Sequence, residues 1–211
     1  AAENVTAASF AMQALAQQGV TSFLAASSDE EIFTAFTAIE RQGKLDNTLV
    51  VFLSDNGPEP IELSHLVEAV FSPEAKQWFL KNFDQRPENW GRKGSAVDYG
   101  AAWAQAGATP FRLFKTFVTE GGTRLPLIIA GPGVKHRGDI VPTLLHATDL
   151  VPTFLELAGA EHPSKQAGSK LAPLTGKSLV PLLSGAAESL RTEKDWIGEE
   201  LFGNRNIRQG E

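Results

Sequence analysis

Asp55 and Asn56 are the first residues of this sequence whose types and spacing suggest chemistry. They place a carboxylate and an amide carbonyl side by side, separated only by Ser54 from an apolar run over residues 49–53. Hard oxygen donors of this kind suit Ca²⁺ or Mg²⁺, and ligands of open α/β sheets bind at the carboxyl ends of strands. Calcium takes roughly six to eight oxygens, so these two donors are part of a shell. The residues alone leave another interpretation open, a turn whose side chains bond their own backbone and whose glycine, Gly57, is left-handed.

Lys115 is the second residue that could do chemistry. It precedes Glu120-Gly121-Gly122 by five residues, and a lysine beside a glycine turn can present a compact positive charge to an oxyanion. The alternative is a solvated surface lysine, since most lysines are exposed. The guanidinium of Arg124 has paired N–H donors that suit a carboxylate, and we expect it to form a structural ion pair with Glu120.

Strands that alternate with helices must position these side chains. Apolar runs predict strands buried on both faces over residues 48–53 and 127–130, with a third strand over 139–142. Helical spacing and capping residues predict helices over residues 6–19, 28–43, 63–71, 73–83, 149–159 and 178–184. In the helix over 149–159, we expect the Asp149 carboxylate to cap free amides. Loops are predicted over 86–100 and 162–177. This alternation indicates an α/β fold class.

The composition excludes several classes of function. With 211 residues, 42% of them hydrophobic, the chain can bury a core. Its formal charge of -6, without a basic patch, argues against nucleic acid as a partner. No cysteine is present to serve as a nucleophile, a thiolate ligand or half of a disulfide. No apolar run approaches the length of a membrane span, so we expect a soluble protein of the cytoplasm or periplasm that does not contact a membrane.

Three motifs occur in an order and spacing that resemble a known family. LDNTLVVFLSDNG is followed by a lysine shortly before EGGTRLPLIIAGPG and then by DLVPTFLELAG. This order resembles the carboxyl-proximal part of the sulfatase family within the alkaline phosphatase superfamily. ENWGRKGSAVDYGAAWAQAGATPFRLFKTFVTEGG and ELFGNRNIRQG are similar to bacterial arylsulfatases in particular. The resemblance extends from about Ser28 to the last residue.

The resemblance implies a fold and its division into domains. The expected fold is part of an alkaline-phosphatase-like sandwich, with a mostly parallel central sheet and flanking helices, that lacks the amino-terminal portion. Residues 1–27 would be a helical segment of uncertain role. Residues 28–196 would be the carboxyl-proximal part of the sulfatase α/β domain, and residues 197–211 the start of a small carboxyl-terminal subdomain.

The resemblance also implies the roles of the site residues. In such enzymes the positions of Asp55 and Asn56 are calcium ligands, and the position of Lys115 is catalytic and contacts the sulfate oxygens. The nucleophile of the family is a formylglycine hydrate made from a C/S-x-P-x-R motif. This chain lacks that motif, since Ser72-Pro73 has the wrong spacing, and it also lacks the paired amino-terminal aspartates that complete the calcium shell.

The expected protein is therefore a fragment of an arylsulfatase-type sulfuric ester hydrolase, inactive alone, whose formylglycine lies in the missing amino-terminal part. Its partners would be a small sulfate ester and the missing half or another copy of the chain. A truncated relative that cannot turn over is a second interpretation of the same absences. Two other functions stay open: a phosphoester or phosphonate-ester hydrolase of the same superfamily, and a non-catalytic α/β module that binds a divalent ion or a partner protein.

The histidines and aromatic residues receive structural interpretations. No histidine falls on a catalytic position of the family, and a general base needs a placed partner. We therefore expect core or surface roles for His65, His136, His146 and His162. Trp90, Tyr99 and Trp103 are expected to pack in the domain, with a pocket for an aryl group as the alternative.

Overall fold

The computed structural model describes residues 43–62, 71–96 and 100–210, together with Thr37, Glu40, Arg41, His65 and Asp98. The chain divides into two compact units, one of residues 1–51 and 129–190 and the other of residues 52–128 and 191–211. The predicted helix over 6–19 and nearly all of those over 28–43 and 63–71 lie outside the described residues. The predicted domain boundaries at 28 and 197 stay predictions.

Two short strands form the sheet that carries the Asp55 segment. Strand β1 (Val50–Leu53) pairs with strand β2 (Leu127–Ala130), and both lie where the apolar runs predicted them. At one end the Ser54 N–H donates to the Pro126 carbonyl at 3.3 Å, and at the other Gly131 lies against Thr48. The two strands therefore run in opposite directions. A mostly parallel central sheet stays a prediction.

The prediction that these strands are buried on both faces is wrong for the described part of the chain. Burial alternates along both strands: Val50 and Phe52 are 46% and 57% exposed, and Ile128 is 60% exposed. Among the described residues each strand has the other as its one strand neighbour. Period-two alternation of this kind is the pattern of a sheet with one covered face.

Three helices belong to the unit that contains Asp55 and Lys115. Helix α1 (Pro73–Asn82) confirms the prediction over 73–83: the Ser72 hydroxyl accepts a hydrogen bond from the Ala75 N–H at 3.3 Å, and the proline occupies the first turn. Helix α2 (Gly100–Ala108) was not predicted, and it buries Ala104 and Ala108. Helix α3 (Glu120–Thr123) is a single turn. No helix in the described ranges is long and apolar enough to cross a bilayer.

The same unit contains a β-hairpin near the end of the chain. Strands β3 (Trp196–Leu201) and β4 (Asn204–Gln209) are antiparallel, with Trp196 opposite Gln209 and Leu201 opposite Asn204. The connecting Phe202 and Gly203 have φ values of 51° and 82°, as a two-residue hairpin turn requires.

The other unit contains two helices and a buried polar link. Helix α4 (Leu150–Leu157) and the short helix α5 (Val180–Leu183) confirm the predictions over 149–159 and 178–184. Asp149 does not cap free amides of α4, because its carboxylate accepts the N–H groups of His146 and Lys177 at 2.8 and 2.9 Å. Thr153 donates to the Asp149 carbonyl and accepts the Leu179 N–H, so the segment before α5 is tied to α4.

The predicted third strand over 139–142 is wrong. These residues have no regular structure, and Ile140 is 94% exposed. Gly138 has a φ of 81°, outside the extended region, and Pro142 has no N–H to donate to a ladder. The predicted loop over 162–177 is confirmed, apart from one 3₁₀ turn at Pro163–Lys165.

Candidate functional site

Backbone hydrogen bonds bring the Asp55 segment and the Lys115 segment together. The Gly57 N–H donates to the Gly122 carbonyl at 3.2 Å, and the Lys115 N–H donates to the Pro58 carbonyl at 3.2 Å. Both segments belong to the same compact unit. The Lys115 backbone therefore contacts Pro58, the residue three positions after Asp55 in the sequence, and does not lie on a distant surface.

Gly57 permits this approach because it has no side chain. A Cβ built on Gly57 would lie 2.2 Å from the Gly121 carbonyl oxygen and 3.0 Å from the Lys115 nitrogen. Gly57 is buried, and its φ is not among the positive values of the chain. The turn interpretation, with a left-handed glycine, is therefore wrong in its geometry: the position needs glycine for close backbone contact.

The loop that carries Lys115 is held by the side-chain amide of Gln105 in α2. This amide donates to the Phe111 carbonyl and accepts the Leu113 N–H, both at 2.9 Å. Leu113 and Thr116 have φ values of 61° and 78°, and left-handed conformations cost non-glycine residues about 1–3 kcal/mol each. The Gln105 hydrogen bonds therefore help to maintain, just before Lys115, a loop shape that an isolated chain would avoid.

Gly121 and Gly122 close this loop from the other side. A Cβ on Gly121 would lie 1.8 Å from the Leu113 carbonyl oxygen, and one on Gly122 would lie 2.0 Å from that of Phe117. The Gly121 N–H also donates to the Arg112 carbonyl at 3.1 Å. The two glycines of the EGG motif are thus packing requirements of the loop that carries Lys115.

Asp55 and Asn56 have the donor chemistry of a cation site. Asp55 is exposed and Asn56 is half-buried, and the Asn56 carbonyl is fixed by the Ser54 hydroxyl at 2.8 Å. Their side-chain oxygens fit a hard divalent cation such as Ca²⁺. Among the described residues, no group of three or more histidine, aspartate and glutamate side chains could hold a metal ion. The two residues therefore offer at most part of a metal-binding shell.

The ammonium group of Lys115 forms an ion pair with the Glu59 carboxylate. The side chains are 38% and 42% exposed. The second oxygen of Glu59 accepts the Ile61 N–H at 3.1 Å, so both carboxylate oxygens have partners. Sequence reasoning missed Glu59, because its partner lies 56 residues away and no local pattern connects them.

The predicted ion pair between Arg124 and Glu120 is confirmed. The guanidinium lies 3.5 Å from the Glu120 carboxylate and also stacks over the Phe111 ring, 4.8 Å from its centroid. Arg208 in β4 approaches the other oxygen of Glu120 at 3.7 Å. Glu120 thus joins α3 to the hairpin, which supports a structural role.

The described histidines have polar partners within three residues. Two of them pair with acids, His65 with Glu62 at 3.7 Å and His136 with Asp139 at 3.1 Å. The other two cap 3₁₀ turns, since the rings of His146 and His162 accept backbone N–H groups at 3.3 and 3.2 Å. These local contacts agree with the predicted non-catalytic roles.

The prediction that the aromatic residues pack in the domain is wrong for two of them. Trp90 and Trp103 are 52% and 69% exposed, because each lies on a face that the described residues leave open. Tyr99 lies outside the described residues. Ser72, the serine with the wrong spacing for a formylglycine motif, is the amino-terminal cap of α1.

Comparison with known proteins defines the class of protein to which this fold and site belong. A family model described as Sulfatase matches residues 16–160. Because this match includes more than half of the chain, the chain belongs to the sulfatase family.

Individual relatives refine this assignment. An uncharacterized sulfatase of Schizosaccharomyces pombe is 38% identical over 169 residues, which make up 80% of this chain and 29% of that protein. An arylsulfatase of Klebsiella aerogenes is 33% identical over 169 residues, or 80% of this chain and 35% of that protein. The chain thus spans about a third of the length of the curated relatives it matches.

A solved structure is similar in fold. The crystal structure of Ps i-CgsB in complex with k-i-k-neocarrahexaose superposes with a TM-score of 0.50 at 22% identity. The match covers 85% of this chain and 30% of that chain. At this identity the likeness supports the fold, which agrees with the α/β class that the sequence predicts.

Proposed function

We propose that this chain supplies the metal-binding and sulfate-binding side chains of a longer sulfuric ester hydrolase, one that cleaves small sulfate esters such as aryl sulfates. One observation carries the proposal. In a chain of the sulfatase family, the Asp55-Asn56-Gly57 segment and the Lys115 loop are joined by backbone hydrogen bonds in one compact unit. The relatives are more than twice as long as this chain, which supports a contribution of further residues from outside it.

Asp55 and Asn56 are the residues that would hold Ca²⁺. Asp55 contributes a charged oxygen and Asn56 a neutral one, the mixture that calcium sites in proteins use. When bound, the ion withdraws negative charge from the sulfate group. Gly57 fixes the place of both residues, because its packing against Gly121 leaves the segment no room to move toward the loop.

Lys115 would bind the sulfate oxygens. Its ammonium is a compact charge with three donors, which suits a tetrahedral oxyanion without demanding one orientation. A donor held in place before the reaction stabilises charge that moves onto the sulfate oxygens without a reorganisation cost. The hydrogen bonds of Gln105 hold the loop just before this lysine, and the Pro58 carbonyl holds the Lys115 N–H itself.

The nucleophile is proposed to lie outside this chain, as a formylglycine hydrate made from a C/S-x-P-x-R motif. The chain has no cysteine, and Ser72 is engaged as a helix cap. Within this chain, catalysis is therefore limited to binding and orienting the ester and to stabilising its charge.

Hydrolysis of two matched esters by the intact protein tests the proposal. We expect 4-nitrophenyl sulfate to be hydrolysed with a larger kcat/KM than 4-nitrophenyl phosphate. A preference for the phosphate would assign the site to a phosphoester hydrolase. Hydrolysis of neither ester, together with tight Ca²⁺ binding in calorimetry, would favour a non-catalytic metal-binding module.

A further inference from the structure

We propose that Glu59 determines the charge specificity of the anion site, favouring singly charged tetrahedral anions over doubly charged ones. The proposal rests on the proposed function in one respect, that Lys115 binds the anion. It assigns a role to a residue that neither the motifs nor the predicted site includes. Its basis is the ion pair between the Glu59 carboxylate and the Lys115 ammonium.

Glu59 is held firmly enough to act in this way. Its two oxygens are bonded to the Lys115 ammonium and to the Ile61 N–H. It lies between Pro58 and Pro60, whose rings fix the backbone on both sides. The Pro58 carbonyl also accepts the Lys115 N–H, so main chain and side chain bind the same lysine.

The geometry of the pair sets the distance between the two anions. A lysine ammonium has three donors, so it can keep Glu59 and still bond an incoming oxyanion. Two oxygens bonded to one nitrogen at ~2.8 Å lie about 4.5 Å apart. An anion on Lys115 is therefore attracted by one positive charge at ~2.8 Å and repelled by one negative charge at about 4.5 Å, so Glu59 offsets part of the attraction.

This arrangement makes the binding affinity of an anion depend on its charge rather than on its shape. A sulfate monoester carries one negative charge, whereas a phosphate monoester and the inorganic sulfate product each carry close to two. Glu59 repels each negative charge on the anion, so it repels a doubly charged anion about twice as strongly as a singly charged one. In a half-exposed site this difference is about five- to tenfold in affinity. Glu59 would thus favour the ester substrate and weaken the binding of the product.

The test compares the binding of sulfate and perchlorate by titration calorimetry on the intact, calcium-loaded protein. Both anions are tetrahedral, but sulfate carries two charges and perchlorate one. In Glu59→Gln we expect the affinity for sulfate to rise about five- to tenfold more than that for perchlorate. Glu59→Asp restores the charge and should retain the discrimination of the original protein. Lys115→Ala should weaken both anions.

A matched control is available in an exposed ion pair of the same residue types. Lys165 lies 3.9 Å from Glu161, and both side chains are more than half exposed. Glu161→Gln should leave the ratio of the two affinities unchanged. An equal change for sulfate and perchlorate in Glu59→Gln would overturn the proposal, and so would anion binding that does not depend on Lys115.

Kinetics separates this inference from the proposed function. If the intact protein hydrolyses 4-nitrophenyl sulfate, Glu59→Gln should raise the kcat/KM ratio of phosphate ester to sulfate ester by a similar factor and lower the inhibition constant of inorganic sulfate. If the protein hydrolyses neither ester but the binding ratio shifts as expected, the proposed function fails and the role of Glu59 stands. If hydrolysis is found and both ratios stay unchanged, the role of Glu59 fails and the proposed function stands.

Discussion

The substitution Gly57→Ala should be one of the most destabilising single-methyl changes in this chain. The new Cβ would lie 2.2 Å from the Gly121 carbonyl oxygen and 2.9 Å from the Gly122 Cα, both of them backbone atoms that cannot rotate away. Restoring an ordinary contact needs a displacement of ~1 Å. The Gly57 N–H already reaches the Gly122 carbonyl at 3.2 Å, so this shift breaks the hydrogen bond.

The magnitude follows from two contributions. Overpacking costs about 1–3 kcal/mol, and the lost hydrogen bond costs about 1 kcal/mol. The free energy of unfolding should therefore fall by ~2–4 kcal/mol in the intact protein, measured by chemical denaturation, with faster amide hydrogen exchange in residues 112–122. Gly198→Ala is the matched control, because its Cβ would have no atom within 4 Å; it should change stability by less than about 0.5 kcal/mol. Equal stability and exchange in the two variants would refute the close-packing explanation.

Three other predictions concern the charged groups. Asp55→Ala should lower calcium content and activity together in the intact protein, because it removes a charged ligand; unchanged calcium by atomic absorption would exclude that role. Lys115→Ala should lower kcat/KM for 4-nitrophenyl sulfate about 100-fold or more with little change in melting temperature, whereas Lys165→Ala should change neither, and a variant that chiefly unfolds would make Lys115 structural. Arg86 lowers the pKa of the Asp84 carboxyl to about 2 through hydrogen bonds at 2.6–3.1 Å. Because this pKa is depressed, any stabilisation of the fold by the Asp84–Arg86 pair is fully present above the ordinary pKa of 3.8 and is lost as the pH falls through about 2. A carboxyl NMR titration of Asp84 with an ordinary midpoint would contradict it. Arg86→Gln removes the guanidinium but keeps the backbone N–H that Asp84 accepts, so it should move the midpoint upward toward the ordinary value.

Local patterns in the sequence were enough to predict several elements. Helix α1 has a serine cap, a proline in its first turn and an amphipathic face, all within the eleven residues 72–82. Strands β1 and β2 were predicted from their apolar runs. The same reasoning failed where one local preference opposed another: residues 139–142 are apolar enough for a strand but include Pro142 and follow a left-handed Gly138. Helix α2 was missed because it begins at Gly100, a poor helix former that has a φ of 62°.

The candidate site was predictable in part. Asp55, Asn56 and Lys115 were singled out by residue type and by the resemblance to the sulfatase family, and the backbone does join their segments. Residue types could not show that Lys115 pairs with Glu59, because this contact depends on how two distant segments cross. The role of Gly57 was misassigned for the same reason, since a turn and a close crossing both select glycine.

The crossing of these segments also has a consequence for folding. The Pro58 carbonyl and the Lys115 N–H belong to residues far apart in the chain, so their bond forms only after a long loop has closed. The conformational entropy of closing this loop must be lost before the contact contributes stability. A synthetic peptide containing SDNGPEP would therefore lack the shape that these residues have in the protein. The anion site should appear and disappear together with cooperative folding of the unit that contains it.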